Sequence, residues 1–190
     1  MKERIEELFR ESVRTKTEFL TPENFSVIAG MTEAIIAALR AGGKLLICGN
    51  GGSASDSAHF AGELTGRFMK ERPAIAAVAL NTDMASLTAI ANDYGYNRVF
   101  GRQIEGVGRP GDVLFVLSTS GNSPNLIDAA NKAKEKGMMT LGLLGRDGGK
   151  VRGLLDRSLV VPAQSSPRIQ EVHITIVHII CDLVESALNP

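Results

Sequence analysis

Residues 44–67 read KLLICGNGGSASDSAHFAGELTGR, and the fold follows from how that stretch changes character along its length. Leu45-Leu46-Ile47-Cys48 is an apolar run the size of one buried strand. Gly49-Asn50-Gly51-Gly52 then turns the chain into a helical pattern, with Ser53 expected as the N-cap. A glycine-rich turn entering a helix presents unpaired backbone N–H groups and a partial positive charge, which makes a seat for phosphate or another anion. Further along the same helix, His59 and Glu63 are spaced to share one face. An anion seat and a His/Glu pair on one helix point to a site.

Towards the N-terminus, residues 2–20 read as a helix with Ile5, Leu8, Phe9, Val13 and Phe19 along one stripe. Thr21-Pro22-Glu23 stops it, and a second helix runs from Asn24 or Phe25 to Ala41, closed by Gly42-Gly43. Two helices before the first strand exceed what one sheet face needs. They are expected to pack partly on a neighbouring subunit; the plainer alternative is that they cover their own sheet.

Towards the C-terminus, further apolar runs at 74–80, 113–117, 140–144 and 158–161 predict four more strands. Helices are predicted at 84–92, 99–107, 124–136, near 151–155 and at 167–188, with a polar-aromatic turn at 92–96. Apolar runs without polar alternation, each followed by a helix, predict an α/β fold with a parallel sheet covered on both faces. In such sheets ligands collect at the carboxyl ends of strands, where the strand order switches. The loops expected there are GNGGS, NTD and STSGNS, and all are polar.

Bulk properties narrow the function. Of 190 residues, 44% are hydrophobic and 22% charged, and Lys+Arg balance Asp+Glu at 21 each without a long run of one sign. That argues against nucleic acid or membrane lipid as an electrostatic partner and leaves room for a small anion. The two cysteines, Cys48 and Cys181, lie in apolar runs, so buried reduced thiols and a cytoplasmic location are expected. The segment MKERIEELFRESVR mixes acidic and basic residues, unlike a signal or transit peptide.

The loop STSGNS sets Ser118, Thr119, Ser120 and Ser123 ahead of a helix that Pro124 opens, a second seat for phosphate oxygens. An ordinary Ser/Thr-rich turn is the plainer alternative. Gly49, Gly51 and Ala54 also fit a loose dinucleotide fingerprint, but the next strand and its Asp83 come too late to hold a ribose. A phosphomonoester held by two loops is the better reading. There are three histidines, His59, His173 and His178. His59 and Glu63 have spacing that lets one helix hold a metal, while Gln170 and His178, about 80° apart, can face one crevice with His173 turned elsewhere. On spacing alone, solvated or core-satisfied side chains are the commoner case. Glu63 also fits a general base and His178 a general acid, with Arg67 one turn on as an ionic partner of Glu63 or a plain helix salt bridge. Glu105, Glu171 and Asp182 are expected to be structural or solvated.

Taken in order, GNGGS, HFAGELTGR, ANDYG, STSGNS, DGGK and RIQEVH…H resemble the sugar isomerase (SIS) domain family, and within it the phosphoheptose isomerases. The resemblance covers nearly the whole chain. It implies one SIS domain: a flavodoxin-like five-stranded parallel sheet over residues 43–190 and an N-terminal helical hairpin, 1–42, used in oligomerisation. It also implies a homotetramer with active sites at subunit interfaces and one Zn2+ per subunit. The activity implied is conversion of sedoheptulose 7-phosphate to D-glycero-D-manno-heptose 7-phosphate, which supplies activated heptose for surface polysaccharide. Residue by residue, it assigns sugar binding to Asn50, Gly51, Gly52, Ser53, Glu63, Arg67, Asn92, Asp93 and Gln170. The phosphate loop falls on Ser118, Thr119, Ser120 and Ser123. Zinc ligands become His59, Glu63, Gln170 and His178, and the acid/base pair Glu63 and His178. Some members carry Asp just before Arg-Ile-Gln-Glu, where this chain has Ser166-Pro167. A relative of the same fold binds the bacterial replication initiator, and others sense sugar phosphates without catalysis. The initiator-binding relative lacks the Glu of HFAGEL and the last-helix His, so Glu63 and His178 favour the enzyme.

Overall fold

The computed structural model describes residues 1–189. Strand β1 (Leu45–Gly49) is buried along its whole length, as an apolar run without alternation requires. It pairs in parallel with β2 (Ala77–Ala79) on one side and β3 (Val113–Ser118) on the other. Strands β4 (Met139–Gly145) and β5 (Arg157–Val161) complete a five-stranded parallel sheet of order β2-β1-β3-β4-β5. Successive side chains of a strand point to opposite faces. Leu45, Ile47, Val113, Phe115 and Leu117 therefore enter one core, and Leu46, Cys48, Leu114 and Val116 enter the other.

Helices α1 (Lys2–Phe19), α2 (Pro22–Arg40), α3 (Gly52–Thr65) and α8 (Ser166–Leu188) lie over the first face. The second is covered by α4 (Met84–Tyr94), α5 (Val99–Val107), α6 (Pro124–Glu135) and α7 (Gly149–Arg152). Helix α2 buries Ile28, Met31 and Ile35 against its own sheet, which is the plainer of the two readings of the N-terminal helices. Helix α1 differs. Only Phe19 is buried, and Ile5, Phe9 and Val13 stand 50%, 70% and 62% exposed.

Several predicted boundaries move, each for a local reason. Helix α2 starts at Pro22 because the Thr21 hydroxyl accepts the Asn24 N–H at 3.2 Å and proline suits a first turn. Strand β2 is shorter than the run at 74–80, since the Ile75 amide is drawn off to the Leu64 carbonyl. The expected turn at 92–96 is helical through Tyr94 and breaks only at Gly95, whose φ of 85° other residues rarely adopt. The free thiols Cys48 and Cys181 lie buried in different cores, on opposite sides of the sheet. Among the described residues no helix is long and apolar enough to cross a membrane.

His173 is turned away from the crevice, as its position on α8 implied, and it enters the core. It is fully buried, its Nε2 lies 3.1 Å from the Leu144 carbonyl oxygen, and its Nδ1 has no partner. The carbonyl fixes Nε2 as the protonated nitrogen, and burial pushes the imidazole pKa down from 6.5 to about 4. A depressed folded-state pKa means the unfolded chain binds the proton first as pH falls. This group's contribution is therefore complete above pH ~6.5 and is lost progressively towards pH ~4, on the order of 3 kcal/mol in all. His173→Gln keeps a donor for Leu144 and is expected to flatten that part of the stability–pH curve, measured by urea unfolding between pH 7.5 and 4.

Candidate active site

Helices α3 and α8 bring together side chains that lie 119 residues apart in sequence. His59 Nε2 stands 3.0 Å from His178 Nε2 and 3.3 Å from Glu63 Oε1. One ligating atom from each of the three residues falls within 4.8 Å of the others. The rings of His59 and His178 meet edge to face with centroids 5.3 Å apart. Two imidazole nitrogens and a carboxylate oxygen aimed at one point are a donor set that fits a borderline divalent cation. His59 is exposed and Glu63 and His178 half-buried, so the cluster is open to solvent on one side.

A second polar centre sits at the carboxyl ends of β1 and β3, where the strand order switches. Asn50, after β1, and Asn125, in the first turn of α6, exchange two amide hydrogen bonds of 2.9 Å each. Tyr96 donates its hydroxyl to the same Asn50 oxygen at 3.2 Å, and Asn81 donates to the Gly49 carbonyl at 2.6 Å. After β3, the Gly121 amide donates to the Ser118 hydroxyl at 2.9 Å. Gly121 has φ 62°, and a Cβ there would run into the Gly148 carbonyl, so the loop is pinned against α7. Thr119 and Ser120 are half-buried above it, and Ser123 caps α6 by position without a side-chain bond. The Ser166 hydroxyl lies 3.4 Å from that of Thr119, which ties the loop to the start of α8.

Not every expected role survives. Ser53 is not the N-cap of α3. Gly51 takes that position with φ 58°, and Ser53 becomes a buried helical residue whose carbonyl accepts the Ser57 hydroxyl at 2.7 Å. Arg67 does not pair with Glu63, because α3 has ended at Thr65; it reaches Glu71 at 3.6 Å instead. Ser118 is buried and shapes the loop from within. Asn92 and Asp93 are exposed at the end of α4 and hydrogen-bond to each other at 2.8 Å. Gln170, on the first turns of α8, packs on the glycine-rich turn: a Cβ at Gly52 would collide with its amide. Glu105 pairs with Arg98 at 2.7 Å and Glu171 with Arg168 at 3.0 Å, the structural roles expected of them, and Asp182 is exposed.

The SIS-domain family model matches residues 8–145. A protein of Pelobacter propionicus named phosphoheptose isomerase is 51% identical over 177 residues, covering 93% of this chain and 94% of that protein. The solved structure of phosphoheptose isomerase from Neisseria gonorrhoeae superposes with TM-score 0.89 at 44% identity, over 97% of this chain and 98% of the other. The corresponding structure from Francisella tularensis gives 0.92 at 35% identity, over 97% of each chain. The chain belongs to the phosphoheptose isomerase family of SIS-domain proteins.

Within that family framework, three residues stand out that sequence reasoning passed over. Asn125 was hidden because its partner lies 75 positions away. Tyr96 was placed in a turn without a role. Asp56 was legible in principle, one turn before His59 on α3. One of its carboxylate oxygens is buried without a partner; burial pushes its pKa up and the His59 ring pulls it back down. The Gly52–Gln170 contact also yields a test. Gly52→Ala is expected to keep its circular dichroism spectrum while displacing the Gln170 amide from the turn, and so to lower the melting temperature by a few degrees, read by thermal unfolding.

Proposed function

We infer that the chain is an aldose–ketose isomerase converting sedoheptulose 7-phosphate to D-glycero-D-manno-heptose 7-phosphate, the first step towards a nucleotide-activated heptose. What carries the reading is the convergence of His59, Glu63 and His178 in a chain whose relatives are named phosphoheptose isomerase. His59 lies roughly 10 Å along α3 from Gly52. A substrate that reaches from the turn to the cluster has to be long, which suits seven carbons better than three.

Isomerisation needs a proton moved between neighbouring carbons and a matching shift on their oxygens. In the proposed mechanism Glu63 takes the proton from C1 of the open-chain ketose and delivers it to C2. His178 assists ring opening and the transfer of protons between O1 and O2, so the product differs only in where its carbonyl lies. Thr119, Ser120 and Ser123, with loop amides, hold the phosphate, and Asn50, Gly51, Gly52, Asn92 and Asp93 line the sugar. Ser53 and Ser118 act through the backbone they shape, and Arg67 would leave its exposed pair with Glu71 to meet substrate. His59, Glu63, Gln170 and His178 would hold the metal, read here as zinc, which when bound would polarise the substrate oxygens. Glu63 presents Oε1 to His59, and its other oxygen is available for the proton.

The chain is taken as one SIS domain that assembles into a homotetramer through its N-terminal hairpin. Supporting this are the exposed stripe on α1 and an apolar cleft of about 410 Å³ between the α1–α2 corner and α8, lined by Phe19, Leu20, Phe25, Ile28, Ile176 and Ile179.

Glu63→Gln is expected to lower kcat by ~10²–10⁴-fold with the fold intact, followed as appearance of the aldose from sedoheptulose 7-phosphate. Near-normal turnover in that variant would remove Glu63 from the mechanism. Phe9→Glu is expected to shift the species seen by light scattering to a smaller oligomer and to reduce activity with it.

A further inference from the structure

Seven residues beyond His178, on the same face of α8, lies Glu185. Its side chain is 2% exposed and pairs at 3.0 Å with Arg72, whose side chain is wholly buried. The mechanism above uses neither residue. Glu185 accepts the backbone N–H groups of Phe68, Met69 and Lys70 at 3.2, 2.9 and 2.8 Å as well as Arg72 Nε. Burial pushes its carboxyl up, but these donors outweigh it and hold the group below its ordinary range, ionised.

The rest of the Arg72 fork points at the end of α3. Nη2 donates to the Glu63 carbonyl at 2.7 Å, and Nη1 to the carbonyls of Leu64 at 2.7 Å, Gly66 at 3.3 Å and Pro73 at 3.1 Å. A cation there satisfies carbonyls that a helix C-terminus leaves open and opposes the helix dipole. One guanidinium thus joins the last turn of α3, at the residue that bears the Glu63 carboxylate, to the helix that bears His178. Between them lies Cys181, whose thiol burial pushes up to about 12 and which feels the charges of Glu63, Arg72 and Glu185. The same Glu185 bonds fold residues 68–70 back over α8, and the Phe68 ring comes to rest 5.9 Å from the His178 ring.

We propose that Arg72 and Glu185 are positioning residues: their buried pair sets α3 against α8 and, with Phe68 seated on His178, holds His59, Glu63 and His178 converged before any ligand binds. Apolar residues of like volume can replace a buried ion pair without loss of stability. What they lack is a set of directed bonds that fixes the rotation of both helices. The inference rests on reading the His/Glu/His cluster as the acid/base and metal site, and its test separates the two.

The test compares the full-length wild type with Arg72→Met/Glu185→Leu, which leaves neither charge buried alone, and with Phe68→Leu. With ¹³C-labelled histidine, the adjacent His59 and His178 rings give a nuclear Overhauser contact in the metal-free protein. Co2+ binding is measured in parallel. The expected result is a folded double variant, with wild-type circular dichroism and a lowered melting temperature, in which that contact is lost and Co2+ affinity falls ~10–100-fold. Phe68→Leu is expected to weaken both in the same direction. A folded double variant with the contact and Co2+ affinity of the wild type overturns the proposal. Should the wild type bind no Co2+, the metal reading falls, while the ring contact still decides the clamp. Should the double variant not fold, Phe68→Leu decides it by the same two readouts.

Discussion

The structure depends on a central pair of strands that meets solvent on neither face. Every residue of β1 and β3 is buried, and they pair in parallel, so each must be followed by a crossover that covers one side of the sheet. With both faces closed by apolar packing, polar side chains are confined to the strand ends. Asn50 and Asn125 meet there because the order switches between β1 and β3, where the two crossovers part to opposite faces. Their reciprocal amide bonds, with the Tyr96 hydroxyl added on the Asn50 oxygen, tie the two strand ends together across an opening that the fold cannot avoid.

The same constraint assembles the His/Glu/His cluster. Helices α3 and α8 follow strands four places apart in chain order, yet both fall on the first face and lie side by side. His59 and Glu63 come from one and His178 from the other, so the cluster exists only when the sheet has closed. It lies down the helices from the strand ends, not among the loops where ligands of such sheets usually collect. Loops and cluster are joined through the first turns of α8, where Gln170 rests on Gly52 and Ser166 on Thr119.

Local chemistry made much of this legible in the sequence. The unalternating run at Leu45–Gly49 fixed a buried strand, and the spacing of His59 and Glu63 fixed their common face. Where local propensity and a backbone angle compete, the angle wins. Ser53 is a good cap by type, but Gly51 can take φ 58° and starts the helix early. Arg67 is well spaced for Glu63 on an unbroken helix, and Gly66 breaks it. The Arg72–Glu185 pair was beyond reach for a different reason: its partners are 113 residues apart, and no period or motif links them. The stripe on α1 was legible as a stripe, but within the chain only its Phe19 end is buried.

Two histidines on α8 show how placement, more than residue type, decides chemistry. His173 and His178 are five residues apart, about 140° around the helix axis. The first turns into the core under β4, where burial strips its charge and the Leu144 carbonyl commits its one proton. It is fixed neutral across the physiological range and has no access to substrate. The second emerges half-buried beside His59, its Nε2 3.0 Å from that of His59, with Phe68 on one side and Glu63 within the same cluster. A shift of one residue in the register of α8 would turn both by 100° and spoil both roles together. The helix must therefore be held in rotation as well as in place, and an array of directed hydrogen bonds around Glu185, two turns from His178, does that where apolar packing alone would let it slide.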